Sequence, residues 1–266
     1  MADSFLHDFD RARNYATNYL RTYYAGTPPP DEHTVMHFLA REAHDLPEIE
    51  ALLEIGCGPC IHHILSLAPR VKEVHLRDYR ADNLEAVRSW KERLKDAHDW
   101  TAFTELALQA EGTSSNDDAI ADREQLVRES IKSIGTCDLR TPTVLTEAAP
   151  GSQFPLVTCF YATEQAATDT SSWREAFRNL TNLVEPDGTL LFSAVGRTHY
   201  YVVRNEEGVD ERYAVPYLTG DDVLQALRNS GFDPSRSRVE ERSVQGQETD
   251  GVHSVILTSA RKLQDS

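Results

Sequence analysis

The segment 51-ALLEIGCGPCIHH-63 limits the folds open to this chain more than any other, because an apolar run ends there in two closely spaced glycines. Three interpretations are open. Cys57 and Cys60 have the spacing of a redox dithiol. With the two histidines that follow, they have ligand types that bind metal ions. The glycines are also typical of the turn between a strand and a cofactor-binding helix.

Short apolar runs and amphipathic segments alternate on both sides of this turn. The predicted strands are 51–55, 71–78, 130–138, 154–161 and 189–195, then two more near 239–245 and 252–259; the predicted helices are 60–69, 81–95, 173–183 and 220–230, with a loop at 111–122 and a turn at 185–188. Alternating strands and helices predict a parallel sheet covered on both faces. The last two strands are too close for a crossover helix, so they are expected to be antiparallel. Ligands of such sheets bind beyond the carboxyl ends of the strands.

The N-terminal part of the chain predicts a helical cap. Residues 3–24 have a helical rhythm, and the prolines of 27–30 interrupt it. Residues 1–45 are therefore expected to form a lid over the ligand site, within a single domain spanning 1–266.

The composition limits the binding partners and the cell compartment that are expected for this chain. The net charge is −16, which repels phosphate backbones, so no nucleic-acid partner is expected. No apolar run reaches the length of a membrane span, and the charged N-terminal segment lacks the apolar core of a signal peptide. A cytoplasmic monomer without a membrane partner is expected.

The redox and metal interpretations lack supporting residues elsewhere. The tryptophan that usually precedes a thioredoxin dithiol is absent, and the chain is far longer than that family. A structural metal site needs a second ligand pair, whereas Cys137 and Cys159 stand alone. Four ligands within seven residues would also break the expected helix start, so no metal is expected.

The cofactor interpretation makes a prediction that the sequence meets. An acid is expected to close the second strand about 20 residues after the glycine turn, where it holds ribose hydroxyls. Asp78 stands at that place. A purely structural alternative remains, in which the glycines make a tight turn and Asp78 caps a helix.

The form of the turn favours S-adenosylmethionine over a dinucleotide. The segment 56-GCGPCI-61 has no third glycine, which the pyrophosphate of a dinucleotide requires. S-adenosylmethionine carries no phosphate, and Glu54 stands where such sites often have an acid. Asp138, at the end of the third strand, is then expected to contact the adenine, and 154–164 is expected to face the reacting centre.

Motifs spread through nearly the whole chain carry a family resemblance. They are 18-NYLRTYY-24, 55-IGCGP-59, 78-DYRADNL-84, Trp90 with Asp99 and Trp100, 136-TCDL-139, 178-RNL-180 with 185-EPDG-188, and 198-THYY-201. In this spacing the chain resembles the nicotinamide, phenylethanolamine and indolethylamine N-methyltransferases. The resemblance implies an α/β fold, a Rossmann-like seven-stranded class I methyltransferase sandwich with C-terminal antiparallel strands and an N-terminal helical cap.

The resemblance also implies roles for individual residues. The expected S-adenosylmethionine contacts are Tyr19, Tyr24, Gly56, Cys57, Gly58, Pro59, His62, Asp78, Tyr79, Asn83, Asp138, Leu139, Phe160 and Ala166. The expected substrate residues are Tyr23, Glu164, Thr198, Tyr201 and Tyr213. Glu164 and Tyr23 are the expected catalytic residues, with Glu164 binding an amine cation and accepting its proton.

Two positions depart from the family pattern. His62 stands where the family often has a tyrosine, and Ala194 stands where the nicotinamide enzyme has an aspartate. The function expected is methyl transfer to the nitrogen of a small-molecule amine, guanidine or aromatic ring. S- or O-methylation of a small metabolite, an NAD-dependent oxidoreductase and a cofactor-binding scaffold without chemistry are the alternatives.

Overall fold

A seven-stranded sheet forms the centre of the computed structural model, which describes residues 12–146 and 152–264. The strands are β1 (Ile49–Ile55), β2 (Val71–Asp78), β3 (Ile131–Thr136), β4 (Phe154–Phe160), β5 (Val184–Gly196), β6 (Tyr200–Arg204), β7 (Asp210–Ala214), β8 (Phe232–Ser243) and β9 (Ser254–Lys262). Their order in the sheet is β3-β2-β1-β4-β5-β9-β8, while β6 and β7 form a separate antiparallel hairpin. The first five are parallel and the last two antiparallel, which confirms the predicted α/β sheet.

The central strand β1 is apolar on both faces because it pairs with a parallel strand on each side. Leu52 and Leu53 are both fully buried, and they point to opposite faces of the sheet. Each belongs to a different apolar cluster. The sheet thus separates two layers of core, and its strand ends meet along one edge.

Helices cover the sheet, and some begin at side-chain caps. The helices are α1 (Tyr15–Tyr23), α2 (Pro30–Asp45), α3 (Ala81–Lys91), α4 (Thr101–Ala110), α5 (Asp117–Ser130), α6 (Thr170–Thr181) and α7 (Gly220–Asn229). Such caps open α5, α6 and α7. Reciprocal capping boxes open α6, through Asp169 and Ser172, and α7, through Thr219 and Asp222. Pro30 occupies the first turn of α2, where its missing N–H leaves no bond unmade.

The N-terminal helices α1 and α2 form the cap expected from the sequence. The tyrosines at positions 15, 19 and 23 recur every four residues, so they lie on one face of α1. That face packs against the β6–β7 hairpin in a small apolar cluster of its own. Residues 1–11 of the predicted cap lie outside the described residues.

The predicted helix at 60–69 was wrong. Only two short 3₁₀ turns form there, His62–Ile64 and Ala68–Arg70. The side chains from Cys60 to Ala68 are all buried, so this segment lacks the polar face of an amphipathic helix. Pro69 adds a residue that cannot donate a helical hydrogen bond.

Other boundaries also differ from those expected. The loop predicted at 111–122 ends at Asn116, whose side chain accepts from the N–H of Ala119 and caps α5. The turn predicted at 185–188 is instead an irregular start of β5, in which Asp187 has a φ of 58°. Helix α3 ends at Lys91, before Arg93 takes a positive φ. Helix α4 and the β6–β7 hairpin were not predicted.

Across residues 12–146 and 152–264, no helix combines the length and the apolar character that a bilayer crossing requires.

Candidate functional site

The glycine turn after β1 is held in a conformation that only small residues tolerate. Gly56 and Gly58 have φ values of +70° and +62°. A Cβ on Gly56 would lie 2.1 Å from the Cβ of Ala162, in the loop after β4. The N–H groups of Gly56 and Cys57 both donate to the carbonyl of Arg77, at 2.8 and 3.0 Å. The turn is therefore locked between its two neighbouring strand ends.

Asp78 lies at the end of β2 and faces this turn. Its Oδ2 accepts from the N–H of Gly58 at 2.8 Å, and its Oδ1 accepts from the N–H of Arg80 and the amide of Asn83 at 2.8 and 2.9 Å. Burial raises the pKa of the Asp78 carboxyl, although these hydrogen bonds favour its charged form. The Oδ1 of Asn83 is buried beside it without a hydrogen bond. These oxygens suit a ligand that brings hydroxyl donors.

A cleft with about 800 Å³ of empty space opens above the turn, and we call it the glycine-turn cleft. The expected cofactor residues that line it are Tyr19, Tyr24, Gly56, Cys57, Gly58, Pro59, Asp78, Tyr79, Asn83, Asp138, Leu139, Phe160 and Ala166. His62 departs from the expectation. Its ring is fully buried behind the cleft wall, stacked on Trp100 at 5.0 Å and packed on Tyr24 at 4.9 Å.

Sequence reasoning missed several residues that line the same cleft. They are Tyr15, Cys60, His63, Cys137, Arg140, Tyr161, Ala162 and Gln165. Tyr15 carried a usable signal, because it lies one turn before Tyr19 on the same helix face. The others follow strand ends that were predicted, but their neighbours across the sheet cannot be read from local sequence.

Arg140 lies beside Asp138, at the end of the cleft where Asp138 is expected to contact the adenine. Its guanidinium donates to both oxygens of Asp138, each at 2.9 Å, and lies over the ring of Tyr79 at 4.2 Å. Asp138, Arg140 and Tyr79 therefore form a connected wall.

Cys57 and Cys60 lack the lowered thiol pKa that a redox pair requires. Cys57 and Cys60 are buried free thiols, and burial raises the pKa of each thiol well above its ordinary value. No helix begins at either residue, so no helix dipole stabilises a thiolate. The geometry excludes the dithiol interpretation.

A second cavity adjoins the cleft, and we call it the tyrosine pocket. Its lining residues are Tyr19, Tyr23, Tyr24, Pro29, Asp31, Glu32, Tyr161, Glu164, Gln165, Val195, Tyr201, Val215 and Val252. Tyr19, Tyr24, Tyr161 and Gln165 line both cavities, so the two spaces share a wall. The pocket has about 470 Å³ of empty space.

Three of the five expected substrate residues line this pocket, namely Tyr23, Glu164 and Tyr201. The other two do not. Thr198 is buried and its hydroxyl donates to the carbonyl of Tyr200, and the ring of Tyr213 stacks on Tyr201 at 5.2 Å. Tyr213 therefore supports Tyr201 of the pocket, whereas Thr198 bonds to Tyr200, which lines neither cavity.

Glu164 is a buried carboxyl with two protein donors. Its Oε1 accepts from the N–H of Val195 at 2.8 Å, and its Oε2 accepts from the hydroxyl of Thr163 at 3.3 Å. Burial raises the pKa of the Glu164 carboxyl to about 7, against the effect of these bonds. A carboxylate has about four acceptor positions, so two remain for a ligand.

The tyrosines of α1 lie in contact with one another at the junction of the cavities. The rings of Tyr19 and Tyr23 are 4.9 Å apart, and those of Tyr19 and Tyr24 are 5.6 Å apart. Tyr23 donates its hydroxyl to the carbonyl of Val202, and burial raises its pKa well above the ordinary value. Its hydroxyl is thus an anchor between cap and hairpin, and it stays protonated at neutral pH.

The comparisons with known proteins agree with this geometry. The sequence pattern of the NNMT/PNMT/TEMT family matches residues 3–263. The chain is 27% identical to the indolethylamine N-methyltransferase of Mus musculus over 224 residues, 80% of each protein, and 25% identical to the human nicotinamide N-methyltransferase over 188 residues, 69% of this chain and 66% of that one. The fold is similar to that of Streptomyces venezuelae DesVI, with a TM-score of 0.51 at 14% identity, over 95% of this chain and 99% of that chain.

The fold, the glycine turn and Asp78 agree with an S-adenosylmethionine-dependent methyltransferase of class I, and the family match over residues 3–263 shows that the chain is one. Within that class, the chain belongs to the NNMT/PNMT/TEMT family, and its reaction is N-methylation. The expectations of family, fold, enzyme class and methyl donor are thus confirmed.

The residues present fit S-adenosylmethionine. Asp78 and the unbonded Oδ1 of Asn83 suit the ribose hydroxyls. When bound, the cofactor supplies a methyl group on a positively charged sulfur, which is already an activated leaving group. The lining rings of Tyr24 and Phe160 suit such a cation.

Proposed function

We propose that the substrate is a small amine that binds in the tyrosine pocket as a cation and is methylated on nitrogen. The main support for this proposal is that two buried acids, Asp31 and Glu164, line the tyrosine pocket. That pocket shares a wall with the glycine-turn cleft. Among the described residues that line this pocket, none is Lys, Arg or His. Because Asp31 and Glu164 form no ion pair within the described residues, these two buried acids favour a positively charged ligand.

The aromatic walls support the same class of substrate. Tyr19, Tyr23, Tyr24, Tyr161 and Tyr201 surround the pocket. Their ring faces attract cations and pack against flat apolar groups, which suits an arylalkylamine or a planar amidine. Holding such a substrate in line with the methyl carbon is worth up to roughly 7–11 kcal/mol of the barrier.

Glu164 has the property needed to remove the amine proton. The nucleophile is a neutral lone pair, whereas an amine in water is largely protonated. A carboxylate whose pKa is raised to about 7 binds the ammonium and accepts its proton near neutral pH. The expected catalytic role of Glu164 is retained in this proposal, and Tyr23 is assigned to positioning because its hydroxyl is bonded to Val202.

Residues 1–45 act in this proposal as a lid over both cavities, within a single domain of residues 1–266. The tyrosines of α1 line both cavities, and water exclusion at that junction strengthens the electrostatic contacts inside. Tyr19→Ala, at the junction of the two cavities, is expected to weaken S-adenosylhomocysteine binding while leaving the sheet folded.

We further propose a cytoplasmic monomer without a nucleic-acid partner. The net charge of −16 opposes binding to phosphate backbones, and the free thiols at positions 57, 60, 137 and 159 suit a reducing compartment. Light scattering of the purified protein at micromolar concentration should give the mass of one chain, 29.9 kDa. A mass of two chains or more contradicts the monomer.

The experiment is a methylation assay with labelled S-adenosylmethionine on two cationic acceptors, indolethylamine and phenylethanolamine, and one uncharged acceptor, nicotinamide. Both amines should be methylated at least tenfold faster than nicotinamide at pH 7.5. Ala194 does not bear on this order, since it is buried in β5 and lines neither cavity. Faster methylation of nicotinamide, or of a thiol or hydroxyl acceptor, would contradict the proposal.

A matched pair of variants connects the result to the pocket. Glu164→Gln should lose activity on both amines. Glu211→Gln should keep it, because Glu211 bonds to the hydroxyl of Tyr213 outside the pocket.

A further inference from the structure

Two adjacent histidines and a glutamate meet between the glycine-turn cleft, which His63 lines, and the tyrosine pocket, which Glu32 lines, and we call them the His-Glu cluster: Glu32, His62 and His63. The Oε2 of Glu32 lies 3.2 Å from Nε2 of His62 and 3.6 Å from Nε2 of His63. One donor atom from each of the three lies within 4.8 Å of the others. Glu32 comes from α2 and the histidines from the segment after the glycine turn, so the cluster joins cap to sheet.

The atoms of this cluster are buried without adequate partners. Glu32, His62 and His63 are 1%, 0% and 5% exposed. Both nitrogens of each imidazole, and Oε2 of Glu32, make no hydrogen bond of acceptable geometry in the part of the chain described. Leaving such groups buried and unbonded costs about 1–3 kcal/mol each, so a site of this kind requires an explanation.

The remaining contacts hold the donors towards one point. The Oε1 of Glu32 accepts from the hydroxyl of Tyr24 at 2.9 Å, which leaves Oε2 facing both rings. The ring of His62 is stacked on Trp100 and that of His63 on Phe160. Packing therefore fixes the two imidazoles with their Nε2 atoms near the same carboxylate oxygen.

A second carboxylate supports the arrangement. The Oε1 of Glu54 lies 3.3 Å from Nδ1 of His63, on the side of the ring away from Glu32. A metal-bound histidine usually directs its other ring nitrogen at a carboxylate, which fixes the tautomer. Two carboxylates and two neutral imidazoles also balance the charge of a divalent cation.

We propose that the His-Glu cluster is a binding site for a first-row divalent cation, best Zn²⁺, with Glu32 Oε2, His62 Nε2 and His63 Nε2 as ligands and Glu54 as the group that orients His63. Zinc binds nitrogen and oxygen at about 2.0–2.2 Å, so the donors of a tetrahedral site lie about 3.3–3.6 Å apart. The two measured separations, 3.2 and 3.6 Å, bracket that range. The ion would fasten α2 to the glycine-turn segment and hold Tyr24 in place.

These donors differ from the set suggested by sequence alone. Cys57 and Cys60 line the cleft instead, and neither belongs to the cluster. The distinction matters for the test, because exposed thiols of an unfolded fraction also bind zinc.

The test measures metal content and binding on the full chain. Protein stripped with a chelator and dialysed should bind one equivalent of Zn²⁺ tightly, and Co²⁺ should give the strong visible absorption of a four-coordinate site. Glu32→Gln should weaken Zn²⁺ binding at least 100-fold while retaining the acceptor for Tyr24. Glu54→Gln should weaken it about 10- to 100-fold.

Two controls separate this site from other sources of binding. The double variant Cys57→Ser, Cys60→Ser and the variant His75→Gln should both bind Zn²⁺ as the parent does, since His75 bonds to Ser133 outside the cluster. Circular dichroism verifies that each variant is folded. Equal binding by parent and Glu32→Gln, or loss of binding in the cysteine variant alone, would overturn the proposal.

Discussion

The main-chain N–H of Val195 donates to the carboxylate of Glu164 at 2.8 Å, which ties the loop after β4 to the end of β5. Glu164 is thereby fixed at the junction of two parallel strand ends, where ligands of this fold bind. The contact also explains how a buried carboxyl with a raised pKa is kept in one position. Catalysis and stability should both depend on its protonation.

The rate of methyl transfer should rise with pH through about 7, because the proton-accepting form of Glu164 is the carboxylate. Cys159, Tyr161 and Tyr201, which face it, have pKa values raised by burial and stay neutral in this range, whereas Asp31 in the same pocket has a pKa raised by burial to about 7 and titrates with it. Glu164→Gln should lower kcat by roughly 10²-fold or more and remove this rise. Steady-state kinetics from pH 6 to 9 measures both. An unaltered profile in the variant would assign the proton transfer to another group.

The free energy of unfolding should fall as pH rises, because it depends on protonation of the same Glu164 carboxyl. Its folded pKa is raised from an ordinary 4.5 to about 7, so the folded state holds the proton more tightly. The resulting stabilisation, on the order of 3 kcal/mol, is complete below about pH 4.5 and lost as pH rises through 7. Urea unfolding should show that the advantage of the parent over Glu164→Gln shrinks between pH 5 and pH 8. A difference constant with pH would mean that the carboxyl is not desolvated.

Asp78→Asn should weaken S-adenosylhomocysteine binding about 10- to 100-fold, because hydrogen bonds to a charged acceptor are worth about 1.5–3 kcal/mol. Asp82→Asn is the matched control. Asp82 lies four residues after Asp78 and forms an ion pair with Arg80. It does not line the glycine-turn cleft. Calorimetric titration measures both affinities, and equal losses would show that the effect is not specific to the cleft.

Gly56→Ala should destabilise the protein more than Gly112→Ala. Both glycines have nearly the same φ, +70° and +71°, so backbone strain of about 1–2 kcal/mol is common to both. A Cβ at Gly112 meets nothing within 4 Å, whereas one at Gly56 would overlap Ala162. Thermal unfolding of the two variants isolates that overlap. Equal losses of stability in the two variants would mean that the loop after β4 moves aside without a cost in free energy.

The four cysteines should resist thiol reagents in the folded protein. Each is buried with a raised pKa, so little thiolate forms at neutral pH. Reaction with an aromatic disulfide should be slow and should become complete for all four thiols on denaturation. Fast modification of Cys57 or Cys60 in the native state would revive the redox interpretation.

Sequence alone predicts the parallel part of this fold because its determinants are local. The apolar run before Gly56 and the acid at the end of β2 lie on two consecutive, adjacent parallel strands, and their spacing fixes their relation in space. Glu164 follows β4 by the same logic. These residues meet at one edge because parallel strands end there together.

The parts that were missed depend on contacts between distant segments. Glu32 lies 30 positions before His62, and the β6–β7 hairpin has no turn signal strong enough to predict it. The segment 60–69 failed for another reason, since burial on every side removes the periodicity that distinguishes a helix. Asp31 was missed because nothing in its local sequence indicates burial.

The hydroxyls of Tyr15 and Tyr201 lie 3.1 Å apart although 186 positions separate them in the chain, and both belong to an apolar cluster separate from the two cores of the sheet. Contacts of such separation close late in folding, because they bear the largest loop entropy. Opening of this cluster is a local unfolding event that leaves the sheet intact. The proposed lid would then open at the cost of this cluster alone, without unfolding of the whole protein.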